Sequence, residues 1–220
     1  MKGRKTGQAK LIRKSKQDYH HGALREALIA ATDEILRESG AEGFKLREAA
    51  RRAGVSAAAP VHHFGSAAGL LTEVAILGFE ELTRYLRQSG SASDPAVRLR
   101  AQGTGYVRFA LAHPGRFHLM FRRDLVLPED ERLKIAGESA FAELELTIRA
   151  QLGGTHQRPN DRSVRASLIA AWSLVHGFAH LALDGKFDTM SEPLNRAKFV
   201  SSILPDVLLT VWPDHERREK

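Results

Sequence analysis

Histidine side chains bind metal ions and act as acids or bases, and this chain contains ten of them. Two, His176 and His180, lie four residues apart. On a helix this spacing places two imidazoles on one face, where they can meet a single metal ion. No HExxH pattern, which would add a glutamate base, accompanies the pair. The neighbouring Trp172, Val175 and Phe178 are apolar, which favours core packing or a hydrogen bond to a ligand. The sequence therefore predicts no metal site.

The residue patterns of common catalytic sites are missing from the sequence. It contains no cysteine, no Gly-x-Ser-x-Gly nucleophile elbow and no paired acid motif beyond scattered carboxylates. No glycine-rich nucleotide-binding motif is found either. The sequence predicts a protein that is not an enzyme and that uses no cofactor. An enzyme that uses His176 and His180 is an alternative, which a metal assay would distinguish.

A second set of polar side chains lies in residues 44–71, FKLREAARRAGVSAAAPVHHFGSAAGLL. The pattern of this segment predicts two short helices around a glycine turn. Small apolar residues recur at spacings of three and four from Leu46 to Ala53, which predicts a helix that another helix can approach closely. Gly54 tolerates the left-handed conformation of a helix end, and Ser56 can cap the next helix. That helix is expected at about 57–64. Two helices joined in this way place the second in the major groove of DNA.

Few side chains of this second helix are able to read bases. Ser56, His62 and His63 are its hydrogen-bonding candidates, whereas its alanines meet only thymine methyl groups or let the backbone approach. Lys45 and Arg47, at the start of the preceding helix, are better candidates for phosphate contacts. The predicted DNA-binding residues are Lys45, Arg47, Ser56, Ala57, Ala58, Ala59, Pro60, His62 and His63.

The positive charge of the chain is concentrated near its N-terminus. Residues 1–17 hold seven of the 33 basic residues and none of the 26 acidic residues, so the net charge of +7 belongs to this segment. A segment rich in Lys, Gly and Gln cannot bury apolar surface and is expected to be disordered by itself. Such arms commonly contact phosphates or enter a minor groove. A solvated tail is the alternative interpretation.

Composition and periodicity predict an all-α globular protein. Of the 220 residues, 43% are hydrophobic and 27% charged, and no sustained strand alternation is found. No apolar run approaches the ~20 residues that span a bilayer, no signal peptide is recognisable, and the lack of cysteine fits a reducing compartment. We expect a cytoplasmic protein without a membrane partner. Besides the two short helices around Gly54, helices are expected at 24–40, 66–89, 95–113, 116–123, 129–152, 162–184 and 193–212.

The last two expected helices are apolar on more sides than one monomer's core easily explains. The first presents Trp172 and Val175 on one face and Leu174 and Phe178 on another, and the second is apolar at spacings of three and four. Pairing with their symmetry mates into a four-helix bundle would bury this surface. Purely intramolecular packing is the alternative. The predicted interface of the homodimer comprises Leu174, Phe178, Leu181, Phe199, Ile203, Val207 and Val211.

Several segments resemble the TetR (tetracycline-repressor-like) family of transcriptional regulators. YHHGALREALIAA (19–31) is similar to the first helix of that family, LREAARRAGVS (46–56) to its second helix and turn, and APVHHF (59–64) to its recognition helix. Farther on, YVRFALAHPGRFHLMF (106–121) and WSLVHG (172–177) resemble a subgroup with a Trp-x-x-x-His-Gly C-terminal domain. The likeness covers most of the chain.

The resemblance implies a domain organisation and a function. It implies a flexible arm at 1–17, a three-helix helix-turn-helix domain at 18–65 and a helical effector-binding and dimerisation domain at 66–220. The protein would be a ligand-responsive regulator, most simply a repressor, that binds double-stranded operator DNA as a homodimer and is released by a small-molecule effector. The effector would occupy a cavity among aromatic and polar residues of the C-terminal domain, namely Tyr106, Phe109, Phe117, Met120, Phe121, Phe141, Trp172, His176 and His180.

Three positions depart from the pattern of the family. Val61 stands where members usually carry an aromatic residue, Ala67 where they usually carry a lysine, and Lys45 where a Ser or Thr often opens the second helix. Two contacts with the DNA backbone are thereby missing, while Lys45 is itself able to reach a phosphate. These departures support an alternative, a helical interaction protein that binds nucleic acid non-specifically through its basic arm.

Overall fold

Nine helices make up most of the residues that the computed structural model describes, which are 16–89, 92–153, 161–190 and 196–213. No strand occurs within these ranges, so the predicted all-α class is confirmed. Most of the predicted arm, residues 1–15, lies outside the described residues. The helices are α1 (Lys16–Ser39), α2 (Leu46–Arg52), α3 (Ala59–Phe64), α4 (Ala67–Ser89), α5 (Pro95–Ala112), α6 (Pro114–Met120), α7 (Glu131–Leu152), α8 (Asp161–Leu183) and α9 (Arg196–Val211).

The turn between α2 and α3 follows the expectation from the sequence. Gly54 has a φ of +67°, the left-handed conformation that a side chain disfavours, and lies just after the end of α2. The N–H of Val55 then donates to the carbonyl of Ala50 at 3.0 Å. Ala49 and Ala50 are buried, so the narrow face of α2 packs into the N-terminal domain as predicted.

The start of α3 differs from the expectation. The helix begins at Ala59 rather than near Ala57, and Ala58 precedes it without a side-chain capping bond. The carbonyl of Ser56 accepts a hydrogen bond from the N–H of Ala59 at 3.0 Å, so residues 56–59 form a turn before the helix. The prediction that the Ser56 side chain caps this helix is therefore wrong, since the helix starts too far along the chain.

Helix α4 joins the two predicted domains, and its first turn is held close to α3. The Ser66 hydroxyl accepts a hydrogen bond from the N–H of Gly69 at 3.0 Å. A Cβ atom on Gly69 would lie 1.9 Å from the carbonyl oxygen of Phe64, so only glycine fits where the end of α3 meets α4. Leu70 and Val74 are fully buried farther along α4. The position of α3 is thus tied to the position of α4.

The limits of the C-terminal helices follow the sequence signals with one exception. The Asp94 side chain caps α5 by accepting from the N–H of Ala96 at 2.7 Å, as the Asp-Pro pair predicts. Helix α5 stops before His113, and α6 begins directly at Pro114, where a helix start near 116 was expected. Proline lacks the N–H that a first helical turn leaves unbonded, so it opens α6 rather than only ending α5. Both the start and the end of α7, α8 and α9 lie within three residues of the expected limits.

The junction between α1 and the C-terminal helices combines ion pairs with a close approach of backbones. Arg116 of α6 donates from Nε to Oδ1 of Asp33 at 2.8 Å, and its second nitrogen contacts the other carboxylate oxygen. Glu73 of α4, whose side chain is 10% exposed, pairs with both Arg25 of α1 and Arg132 of α7. Gly115 of α6 lies against the backbone of α1. The N-terminal helices are therefore fastened to α4, α6 and α7.

Helix α8 is long and rich in apolar residues. By length and composition its segment Arg162–Leu183 is apolar enough to cross a membrane, and 28% of the apolar window is buried. No such helix was predicted from the sequence, because its apolar residues do not form a long uninterrupted run. A core helix passes the same criterion, so one such helix is weak evidence for a membrane span. Its exposed Ile169 and Leu181 show instead that α8 carries apolar surface not covered by the described residues.

Replacing Gly115 with alanine should destabilise the protein, because the added Cβ would lie 2.8 Å from the Leu36 Cβ and 2.9 Å from its carbonyl carbon. Overpacking of this kind typically costs about 1–3 kcal/mol. Urea unfolding measures the change. Gly22→Ala is the matched control: its Cβ would meet no atom within 4 Å, so it should stabilise α1 by about 0.5–1 kcal/mol. A Gly115→Ala protein as stable as the parent would contradict the close contact.

Candidate nucleic-acid interface and ligand cavity

Most of the residues predicted as DNA contacts are exposed, at the start of α2, in the turn and on α3. Lys45, Arg47, Ser56, Ala57, Ala58 and His62 are exposed, and Ala59 and His63 are half-buried. Pro60, in the first turn of α3, is buried. The expectation that Pro60 contacts DNA is therefore corrected.

The charge of this surface comes from few side chains. At the other end of α2, Arg51 and Arg52 both donate to Glu48, and Arg52 also reaches Glu38 at 2.7 Å. These guanidinium groups lower the pKa of Glu48 to about 2, so the carboxylate stays ionised and offsets their charge. The cations that remain beside the turn are Lys45 and Arg47, which form no ion pair within the described residues.

The polar side chains of α3 are its two histidines. Their rings lie with centroids 5.5 Å apart in an edge-to-face arrangement, and the His63 ring lies 6.4 Å from that of Phe64. Val61, between the buried Pro60 and His62, is 50% exposed. The helix thus offers an apolar centre with imidazoles beside it, which limits hydrogen bonding to base edges.

A cavity of about 50 Å³ lies between α4, α5, α7 and α8, near the end of α9. Four residues selected from the sequence line it, namely Tyr106, Phe121, Phe141 and Trp172. Five others, Phe109, Phe117, Met120, His176 and His180, lie outside its lining. The cavity is also lined by residues that were not predicted from the sequence, including Phe79, Leu82, Leu86, Leu99, Gln102 and Trp212.

Gln102 is a polar residue of the cavity lining that is buried, with 4% of its surface exposed. Its Nε2 donates to the backbone carbonyl of Glu143 in α7 at 3.2 Å. Its Oε1 is buried and has no hydrogen-bond partner among the described residues. No sequence signal marked this residue, because a single glutamine within a helix has no characteristic spacing.

A group of aromatic and histidine side chains lies beside the cavity. The Tyr106 hydroxyl and Nδ1 of His176 are joined by a hydrogen bond of 2.8 Å. Burial raises the pKa of the Tyr106 hydroxyl far above its usual value, so it stays protonated. Burial, followed by repulsion from His180 and His118, lowers the pKa of His176 to about 4, so its imidazole is neutral near pH 7.

The histidines of this group show no metal-binding arrangement. The His180 ring lies 4.6 Å from that of His176 and 5.2 Å from that of His118, measured between centroids. Among the described residues, no set of three His, Cys, Asp or Glu side chains is placed to hold a metal ion. His176 instead serves as a hydrogen-bond partner of a residue in the cavity wall.

An open apolar groove lies on the outer surface of α8 and α9. Six of the seven residues predicted at a dimer interface line it: Leu174, Phe178, Leu181, Phe199, Ile203 and Val207. Val211 is 47% exposed and lies outside its lining. Phe187, after the end of α8, stacks near Phe178 and Phe199 at centroid distances of 5.0 and 6.1 Å. Leu181 and Met190 are 45% and 70% exposed, so apolar surface is left open to solvent.

Two family models match the chain. Residues 28–74 match the model described as "Bacterial regulatory proteins, tetR family", and residues 99–204 match "Tetracyclin repressor-like, C-terminal domain". The first match contains the second half of α1, all of α2 and α3 and the start of α4, and the second contains most of the cavity helices. Among curated protein sequences, none matches this chain significantly.

Solved structures with a similar fold cover nearly the whole chain. A protein of unknown function from Rhodococcus sp. RHA1 is 30% identical, covering 89% of this chain and 98% of its own, with a TM-score of 0.69. The TetR family transcriptional regulator PfmR from Thermus thermophilus is 19% identical, covering 82% and 96%, with a TM-score of 0.61. A transcriptional regulator from Rhodococcus sp. Rha1 is 24% identical, covering 85% and 95%, with a TM-score of 0.60.

Replacing His176 with glutamine should make folding less sensitive to acid. Because burial lowers the pKa of His176 to about 4 in the folded protein, against about 6.5 in an unfolded chain, the unfolded state takes up the proton first as pH falls. The parent should therefore lose stability from pH 6.5 towards pH 4. Glutamine does not titrate and still offers Tyr106 a hydrogen-bonding group. Urea unfolding at about pH 7.5 and pH 5 tests this, and equal losses in both proteins would contradict it.

Proposed function

Because the chain belongs to the TetR family of bacterial regulatory proteins, we propose that it binds double-stranded operator DNA as a homodimer and that a small-molecule effector releases it. The observation that carries the proposal is the surface of α2, the turn and α3. There Lys45, Arg47 and His62 are exposed together beside a glycine turn at Gly54. This is the arrangement in which a second helix enters the major groove.

The proposed DNA contacts are of two kinds, those to phosphates, which position the protein, and those to base edges, which recognise the sequence. Lys45 and Arg47 at the start of α2 hold phosphates, because their charges are not offset by nearby carboxylates as those of Arg51 and Arg52 are. His62 and His63 of α3 reach base edges, and the exposed alanines at 57–58 allow a close approach to thymine methyl groups. Sequence recognition then rests on few hydrogen bonds. The basic arm at 1–17 adds sequence-independent affinity.

The homodimer forms through the groove on α8 and α9. Exposed apolar patches rimmed by polar groups mark interaction sites. Here the exposed side chains of Leu181 and Met190 and the half-buried Phe199 and Val207 would be covered by the same helices of a second copy. A symmetric dimer would present two α3 helices to successive major grooves, about 34 Å apart.

The effector acts from the cavity through α4. Phe79, Leu82 and Leu86 of α4 form part of the cavity lining, so a ligand that enlarges the cavity displaces this helix. The other end of α4 lies against α3 at Gly69 and Phe64. A displaced α4 would change the separation of the two α3 helices and release the operator. The protein would act as a repressor in the cytoplasm, without catalytic activity or a cofactor.

Replacing His62 with alanine should reduce the preference for a selected operator over a scrambled duplex, because few other exposed groups on α3 are able to bond a base. A lost base contact costs about 1–3 kcal/mol. Fluorescence anisotropy with both duplexes measures the preference. His118→Ala, which removes an exposed histidine from α6, is the control and should bind as the parent does. Unchanged preference in His62→Ala would favour the alternative, non-specific binding through the arm.

Replacing Val207 with aspartate should split the dimer and weaken operator binding, because the carboxylate would be buried without a partner in the groove between copies. Ser202→Asp introduces the same charge on α9 at an exposed position outside the groove lining and should stay dimeric. Sedimentation velocity distinguishes the two states. A dimeric Val207→Asp protein would place the interface elsewhere.

A further inference from the structure

We propose that the cavity between α4, α5, α7 and α8 binds a neutral, ring-containing apolar molecule with one N–H or O–H group, which donates a hydrogen bond to Oε1 of Gln102. The inference rests on the proposed function only in that this molecule would be the effector. Binding itself requires neither DNA nor a dimer.

The cavity wall selects an uncharged, apolar ligand. Its lining residues, all within the described ranges, include no Asp, Glu, Lys or Arg. An ion placed there would lose its hydration without a counter-charge, which is strongly unfavourable. Aromatic rings meet at the wall: the Trp172 ring lies 5.1 Å from that of Phe141 and 6.2 Å from that of Phe121, between centroids. Such a wall suits a planar ring, because aromatic pairs prefer edge and offset contacts.

Gln102 selects a hydrogen-bond donor rather than an acceptor. Its Nε2 is already bonded to the carbonyl oxygen of Glu143, and its Oε1 is the buried group left without a partner in the described chain. Turning the amide over would place Oε1 against the Glu143 carbonyl, two acceptors facing each other, so the orientation is fixed. A buried acceptor without a partner is unfavourable, and a ligand donor removes that cost.

Tyr106, the other polar residue on the same helix face, differs from Gln102 in already having a partner. Its hydroxyl is bonded to Nδ1 of His176 at 2.8 Å, although its oxygen is able to accept a further bond. Gln102 is therefore the side chain of this face whose buried acceptor gains its first bond when a donor enters.

The size of the cavity sets the size of the first probe. A cavity of about 50 Å³ is smaller than the ~150 Å³ space that holds a benzene ring, so side chains must move to admit even one ring. Phe141 is 38% exposed although it lines the cavity, which places it at the opening. A single six-membered ring is the smallest ligand that tests both the aromatic wall and Gln102.

Phenol and toluene form a matched pair of probes, since they share shape and differ by a hydroxyl in place of a methyl group. We expect the full-length protein to bind both, measured by calorimetry without DNA, and Gln102→Met to weaken phenol about tenfold relative to toluene. Gln151→Met is the control. It removes another buried amide oxygen without a partner among the described residues, which lies in a neighbouring depression between α7, α8 and the end of α9, and it should leave the ratio unchanged.

Anisole tests the same proposal on the parent protein without any substitution. The anisole oxygen accepts a hydrogen bond but does not donate one. Relative to the affinity of toluene, the affinity of anisole should therefore be lower than that of phenol. Failure of the parent to bind either ring, equal ratios in parent and Gln102→Met, or anisole binding as well as phenol would overturn the proposal. A protein that passes these tests but shows no preference for any operator would refute the proposed function and leave the ligand inference standing.

Discussion

The structure depends on the burial of α4 between the two ends of the molecule. Leu70 and Val74 in its first half are fully buried, and Phe79 and Leu82 in its second half form part of the cavity wall. At its N-terminus, the contact of Gly69 with the Phe64 carbonyl leaves no room for a Cβ atom. One helix therefore contacts both α3 and the cavity.

The interface around α1 limits how α4 is able to move. Glu73 joins α1 to α7 through Arg25 and Arg132, and Arg116 joins α6 to Asp33 of α1. Closely packed contacts of this kind shift between discrete arrangements rather than deforming gradually. An effector that opens a small, apolar cavity would then act through a concerted shift of α4 and α6 against α1. The cavity itself, at about 50 Å³, is smaller than one aromatic ring.

Sequence reasoning succeeded where a signal is local and failed where it depends on packing. The Asp94 cap and the left-handed Gly54 follow from residue type alone, and both were predicted. The start of α3 was misplaced because Ser56 looks like a cap, whereas a turn through its backbone carbonyl forms first. Gln102 was missed because its importance comes from a missing partner, which only the arrangement of α5 against α7 reveals. The aromatic residues that the family resemblance suggested fell partly on the cavity and partly in the core beside it, because aromatic side chains fill both.

Operator recognition is tested by selecting bound fragments from random duplex DNA with the full-length protein. We expect enrichment of one sequence made of two inverted half-sites whose centres lie about one or two helical turns apart, because a symmetric dimer presents two copies of α3. The bound fragments should also keep their preference when salt is raised, while the overall affinity falls. If the recovered fragments share no sequence, bind in proportion to their length and are released by salt alone, operator recognition is refuted and the basic arm is the nucleic-acid contact.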